Sequence, residues 1–171
     1  QARRVLDEVG TIQSLAKGSQ DQLAGALRLG VIPTIGPYLL PELVPILHRI
    51  APQMPLILEE NFTGNLVPML RDGDIDLAII ALPFTVAGVM TRTLYEEPFS
   101  VVVPEGHAWA KKKRVRPDEL SGENLLVLNA GHCFREQVLE ACPGQSNTAY
   151  SDGRSGSSLE TIRNMVASGL G

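Results

Sequence analysis

The only two cysteines in the chain, Cys133 and Cys142, lie nine positions apart and bracket a stretch that predicts one short helix. In an α-helix nine steps rise about 13.5 Å and turn a side chain roughly to the opposite face, whereas a disulfide needs Cα atoms within about 7 Å. A bond between these thiols therefore requires the helix between them to come apart. Such a pair suits a switch better than a structural cross-link.

Cys133 has the surroundings of a reactive thiol. It begins the predicted helix, so unpaired backbone N–H groups and the positive end of the helix dipole lie beside its sulfur and favour the thiolate. His132 and Arg135 add polar or cationic neighbours. Cys142 lies at the helix end, directly before the stop signal Pro143-Gly144, and suits the role of a resolving thiol that attacks an oxidised partner. The alternative is two unrelated cysteines, one in the core and one near a loop.

The composition is that of a globular chain able to bury a core. Its 171 residues are 44% hydrophobic and 20% charged, and no stretch reaches the roughly eighteen consecutive apolar residues that predict a membrane span. The net charge of −4 argues against nucleic-acid binding by this segment, because phosphate-binding surfaces are normally basic. Two cysteines suit a reducing compartment and no export signal is visible, so we expect a cytoplasmic protein.

Two further features favour ordinary interpretations. The basic run over residues 111–116 lies beside a proline in a net acidic chain, which indicates a solvated loop rather than a nucleic-acid patch. His48 and His107 stand apart, without cysteine or carboxylate clusters at metal-ligand spacing. We therefore predict no metal site and no cofactor.

The hydrophobic pattern predicts an α/β fold. Strands and helices alternate in the first half, which is the order of a βαβαβ unit with a parallel sheet and crossover helices. The predicted strands cover residues 26–32, 56–60 and 75–80, and the predicted helices cover residues 37–50 and 65–70. An amphipathic helix over residues 1–17, followed by a linker, precedes this unit.

A change of domain is expected near residue 90. Extended segments begin there, the clearest of them over residues 99–103, and a further strand is predicted over residues 125–128. This strand leads directly into the cysteine helix. Cys133 is therefore expected at the carboxyl end of a strand, where open α/β sheets bind ligands.

The last segment of the chain predicts one more helix. Ser157 and Glu160 stand three positions apart in a capping-box pattern, from which the helix extends to residue 166. Gly169 can end this helix, because glycine readily adopts the left-handed conformation.

Several motifs together resemble the LysR-type transcriptional regulators, and among them the peroxide sensors. Asp-Gly-Asp-Ile-Asp at residues 72–76 and Leu-Glu-Thr-Ile-Arg at residues 159–163 are general to effector domains of that family. The motif Gly-His-Cys-Phe-Arg at residues 131–135, with its second cysteine nine positions on, is the part that resembles the peroxide sensors. The resemblance implies a periplasmic-binding-protein-like regulatory domain of two α/β subdomains, preceded by a linker helix.

The same resemblance implies a division of the chain. Residues 1–22 would form the linker helix and linker, and residues 23–89 part of regulatory subdomain I. Residues 90–171 would form regulatory subdomain II, which stops before the return to subdomain I that is seen in the family.

The resemblance also implies roles for individual residues. Cys133 matches the peroxidatic thiol and Cys142 the resolving thiol of a redox-active pair. The residues that match the lining of the peroxide pocket are Thr34, Thr63, His132 and Arg135. Thr34 and Thr63 each follow a strand of one predicted sheet, so both hydroxyls can meet at its carboxyl edge. The alternative is that each is a helix cap or turn residue.

The function that the resemblance implies is redox control of transcription. Hydrogen peroxide would oxidise Cys133, a disulfide with Cys142 would form, and the geometry of a dimer or tetramer would change. DNA contact would come from an N-terminal winged helix-turn-helix absent from this segment, and a thioredoxin- or glutaredoxin-type reductant would restore the thiols. The protein would not be an enzyme and would have no membrane partner.

Two other classes of function stay open. A thiol peroxidase would use the same cysteine pair catalytically, but it would be expected on a thioredoxin-like scaffold. A LysR-type sensor of a small organic effector would bind it between the subdomains, and its cysteines would be incidental.

Overall fold

The computed structural model describes residue 23, residues 25–142 and residues 155–171. The helix and linker predicted over residues 1–22 lie outside the described residues. The first half contains strand β1 (Leu27–Val31), helix α1 (Gly36–Ile50), strand β2 (Leu56–Glu60), helix α2 (Thr63–Asp72) and strand β3 (Leu77–Ile79). The second half contains a 3₁₀-helix (Pro117–Leu120), strand β4 (Val127–Leu128), helix α3 (Cys133–Ala141), strand β5 (Ser155–Gly156) and helix α4 (Leu159–Ala167).

The first sheet is the predicted parallel βαβαβ unit. Strand β1 lies between β2 and β3, and both neighbours run parallel to it. Val31, the last residue of β1, is in register with Glu60, the last residue of β2. The chain therefore leaves these two strands side by side, into the turn that carries Thr34 and into the start of α2 at Thr63. This is the arrangement that the sequence predicts for the two threonines.

Helix α2 is fixed against the first sheet by a compact apolar core. Ile32, Leu66 and Ile75 are buried together, and each such side chain contributes about 1.5–3 kcal/mol by leaving water. Gly30 allows this close packing, because a methyl group there would lie 2.7 Å from Ile75 Cδ1 and 2.8 Å from Leu66 Cδ2. The position of the α2 N-terminus is thus set by the core beneath it.

The second sheet pairs two short parallel strands, β4 and β5. Helix α3 follows β4 and helix α4 follows β5, so both helices begin near the carboxyl end of this sheet. The buried apolar side chains of this part include Leu120, Leu126, Val127, Leu128 and Val166. The structure thus places Cys133 just beyond a strand and at a helix start, as the sequence predicts.

Three details differ from the sequence predictions. The segment over residues 99–103 forms no strand within the described residues, and Phe99 is exposed; a strand needs a hydrogen-bonded neighbour as well as an apolar pattern. The N-cap of α4 is Ser158 rather than Ser157, because the Ser158 Oγ accepts the N–H of Thr161 at 3.1 Å. Strand β5 was not predicted, since two residues carry no alternating pattern.

The basic run over residues 111–116 is a solvated loop, as predicted. Lys112 forms an ion pair with Glu119, and Arg116 pairs with Asp118 at 2.9 Å. The positive charge is therefore partly neutralised by neighbouring carboxylates. Within the described residues, no helix has both the length and the apolar character needed to cross a bilayer.

Candidate redox site

Two helix N-termini meet at the sulfur of Cys133. Thr63 is the first residue of α2, Cys133 is the first residue of α3, and Thr63 Oγ1 lies 3.0 Å from Cys133 Sγ. Neither N-cap residue, Phe62 or His132, caps its helix through a side-chain hydrogen bond. Each helix end favours a nearby anion by about 0.3–1 kcal/mol at an exposed position. Two such ends and one hydroxyl within hydrogen-bond distance surround this sulfur, and groups of this kind stabilise negative charge that develops during a reaction.

A turn at Gly131, called here the glycine joint, directly precedes His132 and Cys133. Gly131 has φ of +100°, a left-handed conformation that other residues adopt only with strain. His132 then returns to an extended conformation, with φ of −84° and ψ of 122°. Gly131 therefore turns the chain between β4 and α3. After this turn the first residue of α3, Cys133, lies beside Thr63.

His132 is a buried, neutral neighbour of Cys133. Its side chain is 4% exposed and meets the ring of Phe62 edge to face, with centroids 4.7 Å apart. Burial lowers the pKa of His132 below its usual range, and a main-chain hydrogen bond with Ser157 offsets this only in part. Its Nδ1 is buried and meets no hydrogen-bond partner among the described residues. His132 can therefore offer a polar atom to a small ligand, but no positive charge at neutral pH.

Arg135 is an anchor of helix α3. The side chain is 2% exposed, and its Nη1 donates a hydrogen bond of 2.6 Å to the carbonyl oxygen of Leu128, the last residue of β4. Arg135 is therefore not a solvated side chain, although it lies in the first turn of a helix. The buried guanidinium ties the first turn of α3 to the strand before it. Its role towards peroxide stays a prediction.

Thr34 and Thr63 occupy the same sheet edge but differ in their contacts. Thr34 lies half-buried in the turn between β1 and α1. Among the described residues, no hydrogen bond joins its side chain to Cys133. Thr63 makes that contact directly. The structure therefore brings Thr63 to the sulfur, has His132 directly before Cys133 in the chain, and leaves Thr34 in the neighbouring turn at the same edge of the first sheet.

Cys142 lies at the opposite end of α3. It is the C-cap residue, and its N–H donates to the carbonyl oxygen of Val138 at 2.9 Å. The thiol is 8% exposed, and burial raises the pKa of Cys142 above its usual range. Both cysteines are free thiols in this structure. The continuous helix predicted between them is confirmed, and about 13.5 Å of helix rise keeps them apart.

Sequence reasoning missed two residues that join α3 to the first sheet. Phe62 packs on His132, and Gln137 Nε2 donates to the carbonyl oxygen of Leu82 at 2.6 Å. An aromatic side chain within the polar turn over residues 61–64 is the signal that could have pointed to Phe62. Within the described part of the chain, no group of three or more His, Cys, Asp and Glu side chains is placed to hold a metal ion.

A known protein family and several known proteins are similar to this chain in sequence. The LysR substrate binding domain family matches residues 20–171. The hydrogen peroxide-inducible genes activator of Dickeya chrysanthemi is 40% identical over 171 residues, which cover 100% of this chain and 56% of that relative. The chain thus spans little more than half the length of such a relative.

Solved structures give the same result. Full-length OxyR from Pseudomonas aeruginosa, in a Cys-to-Asp variant, superposes with a TM-score of 0.83 and 52% identity, over 100% of this chain and 55% of that chain. A Cys-to-Ser mutant of Corynebacterium glutamicum OxyR in its H2O2-bound form superposes with a TM-score of 0.84 and 35% identity, over 99% of this chain and 54% of that chain. The fold with its periplasmic-binding-protein-like architecture is therefore shared.

Proposed function

The chain belongs to the LysR substrate-binding domain family, and on that premise we propose that it is the redox-sensing regulatory domain of a LysR-type transcription factor that responds to hydrogen peroxide. The observation that carries this proposal is the contact of 3.0 Å between Thr63 Oγ1 and Cys133 Sγ. It lies where two helices begin, and the second thiol is buried at the far end of one of them. This arrangement has a reactive sulfur at one end of the helix and a resolving thiol at the other end.

In the first step the Cys133 thiolate attacks one oxygen of hydrogen peroxide. A sulfur–oxygen bond forms, the oxygen–oxygen bond breaks, and the sulfur is oxidised to a sulfenic acid. The departing hydroxide takes up a proton and leaves as water. Negative charge develops on that oxygen, so the Thr63 hydroxyl and the helix N–H groups stabilise the transition state. Thr34 and His132 supply further polar atoms from the same edge, and Arg135 holds the start of α3 in place.

In the second step the thiol of Cys142 attacks the sulfenic sulfur. A disulfide forms, the sulfur–oxygen bond breaks, and the hydroxyl leaves with the thiol proton as water. The distance along α3 forbids this bond while the helix is intact. The helix must therefore open, and its anchors at Leu128 and Leu82 are given up.

The energetics of this step suit a reversible switch. Closing a ring of about ten residues removes roughly 2–3 kcal/mol of chain entropy from the open state. Opening the helix adds to this cost the loss of a few hydrogen bonds of about 0.5–1.5 kcal/mol each and of the packing of the half-buried Val138 and Leu139. Both costs fall on the disulfide form, so oxidation by peroxide supplies the driving force for opening, and reduction of the bond favours the return of the helix.

At the level of the whole protein, we infer that opening of α3 changes the geometry of a dimer or tetramer. That change re-spaces the DNA-binding domains, which are N-terminal winged helix-turn-helix units outside this segment. A thioredoxin- or glutaredoxin-type reductant resets the thiols in the cytoplasm. A regulator of this kind reacts once per signal and is not a turnover enzyme.

The test is mass spectrometry of the reduced protein after one equivalent of hydrogen peroxide. The proposal predicts a loss of two hydrogens through a Cys133–Cys142 disulfide, and a sulfenic acid at Cys133 in a Cys142→Ser variant. An unmodified Cys133 would contradict it. Sustained peroxide turnover with added thioredoxin or glutaredoxin would favour a thiol peroxidase. Metabolite binding by calorimetry that is unchanged in Cys133→Ser, together with unreactive cysteines, would favour a small-effector sensor.

A further inference from the structure

We infer that Phe62 is a positioning residue for the oxidation of Cys133, because its ring fixes the turn that delivers this cysteine to Thr63. The inference rests on the proposed function, since it assigns a role in that reaction. Phe62 acts through the two residues that precede Cys133.

The first observation is a matched pair of contacts between two helix starts. Phe62 directly precedes Thr63, and His132 directly precedes Cys133. The ring of Phe62 packs on the imidazole of His132 at 4.7 Å with an interplanar angle of 82°. One position further along each chain, Thr63 contacts Cys133 at 3.0 Å. The aromatic contact therefore sets the register in which the hydroxyl meets the sulfur.

The second observation is that the ring also covers the glycine joint. A Cβ built on Gly131 would lie 3.6–3.8 Å from three carbons of the Phe62 ring, which is van der Waals contact. Gly131 can adopt many backbone conformations, so the turn needs packing from outside to hold one of them. Phe62 supplies this packing from the side of the first sheet.

The third observation is that hydrogen bonds hold the backbone at Phe62 in place. Its N–H donates to Asn61 Oδ1 at 2.9 Å, and the same oxygen accepts from Asn65 Nδ2 at 2.7 Å. The N–H of Asn61 donates to the carbonyl oxygen of Val31 at 3.1 Å. The backbone of Phe62 is thus tied to the end of β1 and to the first turn of α2. The ring is therefore fixed relative to the first sheet, and its contact with His132 holds the start of α3 relative to the same sheet.

Phe62 can be changed without removing core packing. Its side chain is 37% exposed, which is unusual for a large aromatic residue whose purpose is burial. Loss of the ring should therefore alter the placement of Cys133 more than the stability of the fold. Displacement of reacting groups by about 1 Å can cost up to about a hundredfold in rate, and a smaller shift gives about tenfold.

The experiment measures single-turnover oxidation of Cys133 by hydrogen peroxide in the full-length protein, in a Cys142→Ser background so that only sulfenic acid forms. Phe62→Leu should react about tenfold more slowly, because it keeps apolar bulk but loses the ring. Phe62→Tyr keeps the ring and should restore the rate to within about twofold. Phe99→Leu is the matched control: Phe99 packs edge to face on Phe134 in the first turn of α3, with centroids 5.5 Å apart, so this variant removes an aromatic contact with the same helix that does not involve His132. It should leave the rate unchanged.

A second reagent distinguishes a loss of positioning of Cys133 from a general destabilisation of the fold. Alkylation of Cys133 by iodoacetamide needs an accessible thiolate but no oriented peroxide, so Phe62→Leu should keep or raise that rate. The NMR signals of the His132 ring should also shift when the Phe62 ring is removed. Equal slowing of both reagents, equal slowing in Phe99→Leu, or a parental peroxide rate in Phe62→Leu would each overturn the inference. A parent protein that does not oxidise at Cys133 would instead contradict the proposed function, and this inference with it.

Discussion

Thr63 Oγ1 and Cys133 Sγ lie 3.0 Å apart although 70 positions separate the two residues in the chain. Thr63 belongs to the helix that packs on the first sheet, and Cys133 begins the helix that follows the second sheet. Opening of the cysteine helix would therefore separate this pair. On the proposed function, the redox state of Cys133 is coupled in this way to the contact between two parts of the fold.

Replacing Thr63 by Val should slow oxidation of Cys133 by about tenfold or more, the scale of one lost transition-state hydrogen bond. Valine keeps the shape of threonine and removes only the donor. Thr34→Val should also slow the reaction, but less, because Thr34 has no described contact with the sulfur. The measurement is the rate of sulfenic acid formation under pseudo-first-order hydrogen peroxide.

Thr93→Val serves as a control for that pair, since Thr93 is exposed and remote in sequence from both helix starts. It should oxidise at the parental rate. Unchanged rates in both Thr34→Val and Thr63→Val would remove the threonines from the mechanism. A larger effect at Thr34 than at Thr63 would contradict the ranking drawn from the geometry.

The two thiols should differ sharply in reactivity towards peroxide. Cys133 lies at two helix starts, whereas Cys142 is buried and its pKa is raised, so it stays a neutral thiol at pH 7. Trapping of sulfenic acid should label Cys133 in a Cys142→Ser variant at least about tenfold faster than Cys142 in a Cys133→Ser variant, because only the thiolate is nucleophilic. Equal labelling, or label mainly on Cys142, would reverse the assigned roles.

The elements with strong periodic patterns were predictable from the sequence. Strand β2 has the predicted bounds, and α1 differs by one residue at its start. The cysteine helix was predicted because a helix-length segment stands between a strand and the stop signal Pro143-Gly144. These features depend on near neighbours in the chain, which the sequence displays directly.

Features that depend on distant partners could not be predicted in the same way. Residues 99–103 carry a strand-like apolar run, but strand formation depends on a neighbour that the run does not specify. Arg135 has the polarity of a surface residue, and its burial follows from a carbonyl group on β4. Ser157 and Ser158 are adjacent candidates for one cap, and only the geometry chooses between them. The sequence predicts that Thr34 and Thr63 share one edge of the first sheet, whereas the contact of Thr63 with Cys133 joins elements of two separate sheets and could not be predicted.

Burial of His132 should make the protein less stable in mild acid. The folded-state pKa lies below the ordinary value of about 6.5, so the unfolded chain binds a proton first as pH falls. The stabilisation is fully present above that ordinary value and is lost as pH falls from there towards the folded-state pKa. One proton taken up on unfolding lowers the free energy of unfolding by up to about 1.4 kcal/mol per pH unit.

The check is denaturant unfolding between pH 7.5 and pH 5 for the parent and for His132→Phe, which keeps an aromatic ring against Phe62 but cannot titrate. As pH falls from 7.5 to 5, the free energy of unfolding should decrease more for the parent than for the variant. His48 and His107 are present in both proteins and cancel in the comparison. Parallel pH curves would mean that His132 is not held neutral by burial.

The most direct test of the switch is hydrogen exchange of the cysteine helix in the reduced and oxidised protein. In the reduced form, amides from Val138 to Cys142 should be protected, since they have partners within the helix, including the bond of 2.9 Å from Cys142 N–H to the Val138 carbonyl. After one equivalent of peroxide, once mass spectrometry shows the Cys133–Cys142 disulfide, those amides should lose protection. The helix Leu159–Ala167 should change much less and serves as the internal reference. Equal protection of Val138 to Cys142 in the disulfide form would contradict the opening of this helix and the redox switch built on it.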